Sequence, residues 1–196
     1  MVREQLLRHQ EVVTEQILTR GFEPLHLGEY ALPTTSSGFF RCWGGTERRD
    51  ELRYEITSHQ CQVDDQIYLA RGAGSGTVSF THALIRSDEL NPWAFFSLYQ
   101  SRFQATQFPP FGLPEYVAPF ACTTEFVARE ASTLKVVFCA RGYRKLKGLY
   151  DAILKVASLD HDDHGVQSTL TLLGVSYENA KRIARRYLES VTRTNP

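Results

Sequence analysis

No stretch of this chain approaches the roughly eighteen consecutive apolar residues that a membrane-spanning helix requires. Residues 1–20 are not expected to act as a secretory leader either, because Arg3, Glu4, Arg8, Glu11 and Glu15 interrupt what would have to be an apolar core. An excess of one charge is missing as well. The 22 Lys and Arg side chains balance 22 Asp and Glu, so no global field draws the molecule towards nucleic acid or anionic lipid. An electrostatic partner has to be recognised by a local patch. Cysteine is sparse: Cys42, Cys61, Cys122 and Cys139 form no CxxC pair, too few for a disulfide-built scaffold and wrongly spaced for a zinc knuckle. They are expected to be reduced, mostly buried thiols of a cytoplasmic protein, a single disulfide being the alternative. Internal repeats and low-complexity tracts are absent.

What is present is the composition of an ordinary globular domain, 42% apolar and 12% aromatic, enough to bury a core. Residues 2–20 carry Val2, Leu6, Val13 and Ile17 near helical spacing, widened by Leu7, Val12 and Leu18, and Gly21 follows as a stop signal. Residues 22–50 hold Pro24, Gly28, Pro33, Gly38, Gly44 and Gly45 and read as loop or irregular strand. The period then changes to two. Leu52, Tyr54 and Ile56 alternate with Arg53, Glu55 and Thr57, and Val78, Phe80, His82 and Leu84 alternate with Ser79, Thr81 and Ala83. A strand at Ile67 and Leu69, with the turn signal of residues 72–76, predicts a hairpin. A helix from Ser87 to about Gln104, a segment kept irregular by Pro109, Pro110 and Pro114, and strands over 116–122 and 134–140 follow.

Beyond Gly142 the pattern reads as helical. Leu146, Leu149, Tyr150, Ile153 and Ala157 make one stripe; Ala180, Ile183, Ala184, Tyr187, Leu188 and Val191 make another, with residues 165–173 bridging them. In the turn Leu173-Gly174-Val175-Ser176, Gly174 supplies a permissive backbone, Val175 an apolar plug and Ser176 an N-cap, and Glu178 suits the first turn of the helix. This turn, with Ala180 and Ile183 after it, resembles the helix-turn-helix DNA-binding family over about twenty residues. It departs from that family at Leu170, where a small residue is usual. The resemblance implies that Tyr177, Lys181, Arg182 and Arg185 form a recognition face, with Arg144, Lys145 and Lys147 adding phosphate contacts from a supporting helix. The plainer reading is a helical corner with a solvated basic side, Glu178 pairing with Arg182.

Few constellations point to catalysis. In Asp160-His161-Asp162-Asp163-His164 the candidate ligands are His161, Asp163 and His164, but sequence neighbours seldom converge on one ion, so a solvated loop without metal is expected. Residues 71–77 mimic a phosphate loop, yet no Lys is present and a strand pattern follows where a helix is needed. His82 falls among apolar strand positions and must find a hydrogen-bond partner; a satisfied core histidine is the default and a functional one the rival. The run Gly76-x-Val78-x-x-Thr81-His82-x-Leu84 resembles a strand of GTPase-associated proteins of bacterial conflict systems, which implies bacterial context and no catalytic role. No Gly-x-Ser-x-Gly elbow occurs, and His59 with Cys61 is the only close Cys–His pair. Phe108 to Pro114 offers a rigid apolar ridge to a partner.

These observations predict an α+β fold: an N-terminal helix, a mostly antiparallel sheet, and a C-terminal helix-turn-helix-like bundle, divided near 142 into residues 1–141 and 142–196. The function expected is a non-enzymatic regulator or assembly subunit contacting nucleic acid through its C-terminal helices, with a protein partner, no cofactor and no membrane. The alternatives are a protein-interaction or adaptor module, and a small hydrolase or metal-dependent enzyme.

Overall fold

The computed structural model describes residues 2–27, 29–35, 40–43, 51–57, 77–86, 117–129, 132–159 and 164–194. Helix α1 (Val2–Arg20) forms where its apolar stripe predicts it. It ends at Gly21, whose φ of 72° and N–H bond to the Ile17 carbonyl make a left-handed stop. Strands β1 (Phe22–Leu27) and β2 (Tyr30–Thr35) then pair antiparallel, with Pro24 opposite Pro33. The two prolines disguised this hairpin as loop. They are tolerated because β1 is an edge strand and the two-residue β10 (Thr192–Arg193) pairs only with Tyr30 and Ala31 of β2.

Among the described residues the larger sheet has seven strands in the order β3-β4-β5-β9-β8-β7-β6. They are β3 (Phe40–Trp43), β4 (Glu51–Thr57), β5 (Thr77–Arg86), β6 (Ala121–Ala128), β7 (Thr133–Gly142), β8 (Tyr150–Leu159) and β9 (His164–Val175). Every pairing is antiparallel, and two meanders meet along β5 and β9. The expectations at Ile67–Leu69, the helix from Ser87 and the proline segment lie outside the described residues.

The C-terminal helical bundle is corrected: residues 150–159 and 164–175 are strands, and the molecule is mostly β, with two helices among the described residues. Period two explains it. Ala152, Leu154 and Val156 face one way, with Val166, Leu170 and Leu172 beside them in β9. Residues 151–158 of β8 are buried on both faces, Lys155 included, so the polar–apolar alternation that marks a half-exposed strand is absent. The helix-turn-helix assignment falls with it. Gly174 closes a strand, with no helix before it, and its φ of 64° accompanies the register shift where β9 holds one residue more than β8 between Val175 and Leu172. The boundary expected near 142 falls between β7 and β8, which pair from Leu134 to Gly142.

Helix α2 (Tyr177–Glu189) is where its pattern puts it. Ser176 caps it by accepting from the Asn179 N–H at 3.2 Å. Ala180, Ile183, Ala184 and Tyr187 pack onto the sheet face made by Leu134, Val136, Leu154, Val156, Leu170 and Leu172, and Tyr30, Leu32 and Ile17 complete this core. Cys122 and Cys139, directly opposed on β6 and β7, form a disulfide. This corrects the reading of these two as reduced thiols. Such bonds persist in oxidising compartments, so cysteine no longer argues for the cytoplasm. Among the described residues no helix is long and apolar enough to cross a membrane.

Candidate functional site

The groups best equipped for chemistry are shut inside. His82 is fully buried, its Nε2 2.9 Å from the Pro33 carbonyl and its Nδ1 2.9 Å from Ser168 Oγ. A carbonyl only accepts, so Nε2 carries the hydrogen and Nδ1 accepts from the serine hydroxyl. Ser168 Oγ in turn accepts from the buried Tyr187 hydroxyl. The line Tyr187–Ser168–His82–Pro33 therefore ties α2, β9, β5 and β2 together. Burial holds the imidazole neutral, pulling its pKa to about 4 against a partly offsetting bond to Pro33, and pushes the Tyr187 phenol above its usual range. With all three side chains sealed from solvent, the serine–histidine pair is a core fastening that no substrate reaches.

A second buried knot fixes the turn between β7 and β8. Asp151 Oδ2 accepts from Arg141 Nε at 3.0 Å, while Oδ1 accepts from the Tyr143 hydroxyl at 2.7 Å and the Gly174 N–H at 3.2 Å. Burial pushes this carboxyl's pKa up, against the Tyr143, Arg141 and Gly174 contacts that lower it. The N–H that the β9 irregularity turns out of the ladder thus finds an acceptor. Tyr143 and Leu149 join Leu6 and Val117 in a small second core, with Leu7 and Leu146 against it. The turn's apolar residues point inward, and Arg144, Lys145 and Lys147 are left exposed.

Beside that turn lies the surface of α2. Tyr177 is 41% exposed. Its ring centroid is 5.5 Å from that of Tyr150 and 6.3 Å from that of Phe138, and Lys181 Nζ stands 4.9 Å above it. Of the cations predicted to line this helix, Lys181 pairs with Glu178 at 2.9 Å and Arg182 reaches Glu15 of α1 at 3.0 Å and Asn179 Oδ1 at 3.2 Å. Arg185 is exposed. Glu178 takes Lys181 as its partner, where the sequence suggested Arg182. Arg144, Lys145 and Lys147 stand on a turn between strands, with Arg144 Nε donating to the Val117 carbonyl at 3.2 Å and Arg3 Nε to the Lys147 carbonyl at 2.8 Å. The structure therefore brings Tyr177 and Lys181 together and gives Arg182 to a helix–helix tie.

His161 and Asp163 lie outside the described residues, His164 opens β9 opposite Arg86, and no group of three His, Cys, Asp or Glu suited to a metal occurs among the described residues. Sequence reasoning missed Phe138 and Tyr150 as companions of Tyr177, because it put Tyr150 on a helix. It also missed Gln10, buried between the helices, whose Oε1 accepts from the Ser176 N–H and the Asn179 amide, both at 3.0 Å. A glutamine one turn from Leu6 on a helix's apolar side was the available signal.

No family model and no curated protein matches this chain, and the strand that resembles GTPase-associated proteins gains no support from either comparison. Solved structures are similar in outline. The Saccharomyces cerevisiae Ran-binding protein Mog1p is 9% identical, with 90% of this chain and 97% of that chain covered and a TM-score of 0.46. A PsbP protein from the cyanobacterium Synechocystis sp. PCC 6803 is 6% identical, with 89% and 93% covered and a TM-score of 0.48. Likeness at this level leaves function to be argued from the chain's own geometry.

Proposed function

We propose that this chain is a non-catalytic protein-binding module whose contact surface centres on Tyr177. The observation that carries the reading is the exposed Tyr177 ring resting on half-buried Phe138 and Tyr150 with Lys181 over it, built on a strand pair and a capped helix. Tyrosine at such a surface contributes a large contact area while losing little rotamer freedom, which is why interface hot spots are rich in it. Ser168, His82 and Tyr187, the residues that would suit acid–base or nucleophilic chemistry, are committed to the interior. DNA recognition by a helix-turn-helix is withdrawn with the motif.

The test uses the full chain as bait in the cells that produce it. A stoichiometric protein should co-purify, resist nuclease, and be lost from Tyr177→Ser while the unfolding midpoint stays close to wild type. A partner retained by this variant, or nuclease-sensitive capture, overturns the reading.

A further inference from the structure

A covalent cross-link holds the strand at the rim of the larger sheet. Among the described residues β6 is the last strand on that side, paired with β7 from Ala121 to Ala128. Burial does little to keep it there. Every residue of β6 is exposed except Val127, which is half-buried against the core. Cys122 and Cys139 stand directly opposite in the register, so their bond runs from the exposed strand to its buried neighbour. Cys122 is exposed and Cys139 fully buried. Fastenings flank the pair on both sides. Val117 bridges Tyr143 and the Ala118 N–H donates to the Gly142 carbonyl at 2.9 Å, while past β6 the Arg129 N–H donates to the Ser132 carbonyl at 2.8 Å. Between these pins, residues 121–125 are held by the ladder to β7, the disulfide and a bond from the Thr123 hydroxyl to the Phe138 carbonyl at 3.5 Å. Leu134, Val136 and Ala140 pack with α2 and alternate along β7 with Cys139, so the disulfide lies on the sheet face away from that core.

We infer that the Cys122–Cys139 bond is a thiol-exchange site, opened by a protein dithiol of the Cys-x-x-Cys class, and that its opening loosens residues 121–125 while the core under α2 stays intact. Exchange requires a thiolate to attack one sulfur in line with the bond and expel the other. Solvent meets this bond from the Cys122 side, so Cys122 Sγ is attacked and Cys139 is expelled. The first thiolate of the reductant bonds to Cys122 Sγ as the S–S bond breaks, and the electron pair leaves on Cys139. The second thiol then attacks this mixed disulfide and expels Cys122. Each sulfur released takes up the proton given up by an attacking thiol; two electrons pass to the chain, and the reductant becomes a disulfide. A dithiol suits the site better than a monothiol. Cys139 lies directly opposite Cys122 and attacks the mixed disulfide back, and a second thiol carried on the same reductant competes with it at high effective concentration.

The test exposes the folded full chain to dithiothreitol or to glutathione at equal thiol concentration, then alkylates it. Peptide mass mapping reads Cys122 and Cys139 separately from Cys42 and Cys61. Dithiothreitol should open the bond in the folded chain, and glutathione should leave most of it closed. A thioredoxin-type reductant whose resolving cysteine is replaced by serine should be caught as a mixed disulfide on Cys122. Amide exchange of the dithiothreitol-treated chain should rise by about tenfold or more at residues 121–125 and stay unchanged at 180–187. Cys122→Ser plus Cys139→Ser should reproduce that pattern without any reductant. A bond that opens only on unfolding, equal opening by glutathione, an adduct on Cys139, or unchanged exchange at 121–125 overturns the inference.

Discussion

Helix α2 carries two tyrosines ten positions apart that have opposite fates. Tyr187 is completely buried, sits edge-on to Phe22 at 5.6 Å between centroids, and gives its hydroxyl to Ser168. Tyr177 is 41% exposed and stacks only with half-exposed rings and a lysine. The same residue type thus serves the core at one end of the helix and the surface at the other. What separates them is the polar frame. At Tyr187 every side chain along the line to Pro33 is sealed, whereas at Tyr177 the neighbouring charges are turned outward.

The comparison breaks first on stability. Tyr187→Ala should cost about 3–5 kcal/mol, because it leaves an aromatic-sized cavity and removes the donor to Ser168. Chemical denaturation measures this, and a loss under about 1 kcal/mol would mean that the core near Phe22 is loosely packed. The next effect is acid sensitivity. An unfolded histidine takes up its proton near 6.5, while folded His82 resists until about 4. The contribution is therefore complete above pH 6.5 and is lost as pH falls towards 4, amounting to about 3 kcal/mol. The difference between wild type and His82→Leu across that range isolates it; parallel pH profiles would contradict a neutral buried ring.

Gln10 lies between the two regions and sharpens the contrast. Gln10→Ala strands the Ser176 N–H and the Asn179 amide at the α1–α2 junction and should cost about 1–3 kcal/mol, read from the denaturation midpoint. Hydrogen exchange should rise at residues 176–180 and stay unchanged in β7. Smallest is Tyr177→Ala, expected within about 1 kcal/mol of wild type. A larger loss would make the aromatic cluster part of the core.

How much of this was legible in the sequence depends on how each segment is buried. Helix α1, strands β4, β5 and β7, and α2 with its Ser176 cap all follow from period and capping. The four inward residues of α2 follow as well. Strands β8 and β9 did not, because β8 is buried on both faces and Leu149, Tyr150, Ile153 and Ala157 mimic a helical stripe by coincidence. The run of Val166, Thr169 and Thr171 was the better signal, since β-branched residues favour an extended chain. The basic residues at 144–147 read from the sequence as a cationic group on a helix. Their true position, on a turn pinned by Tyr143 and Asp151, depends on contacts across β7, β8 and β9 that no local pattern encodes. The Cys122–Cys139 bond likewise depends on strand register.

The most direct test of the account places a photo-crosslinking benzoylphenylalanine at Tyr177 in one protein and at Arg129 in another, each in the cells of origin. A single discrete protein adduct at position 177, absent at 129, is the result predicted. Equal labelling at both positions, or an adduct to nucleic acid at 177, would contradict it.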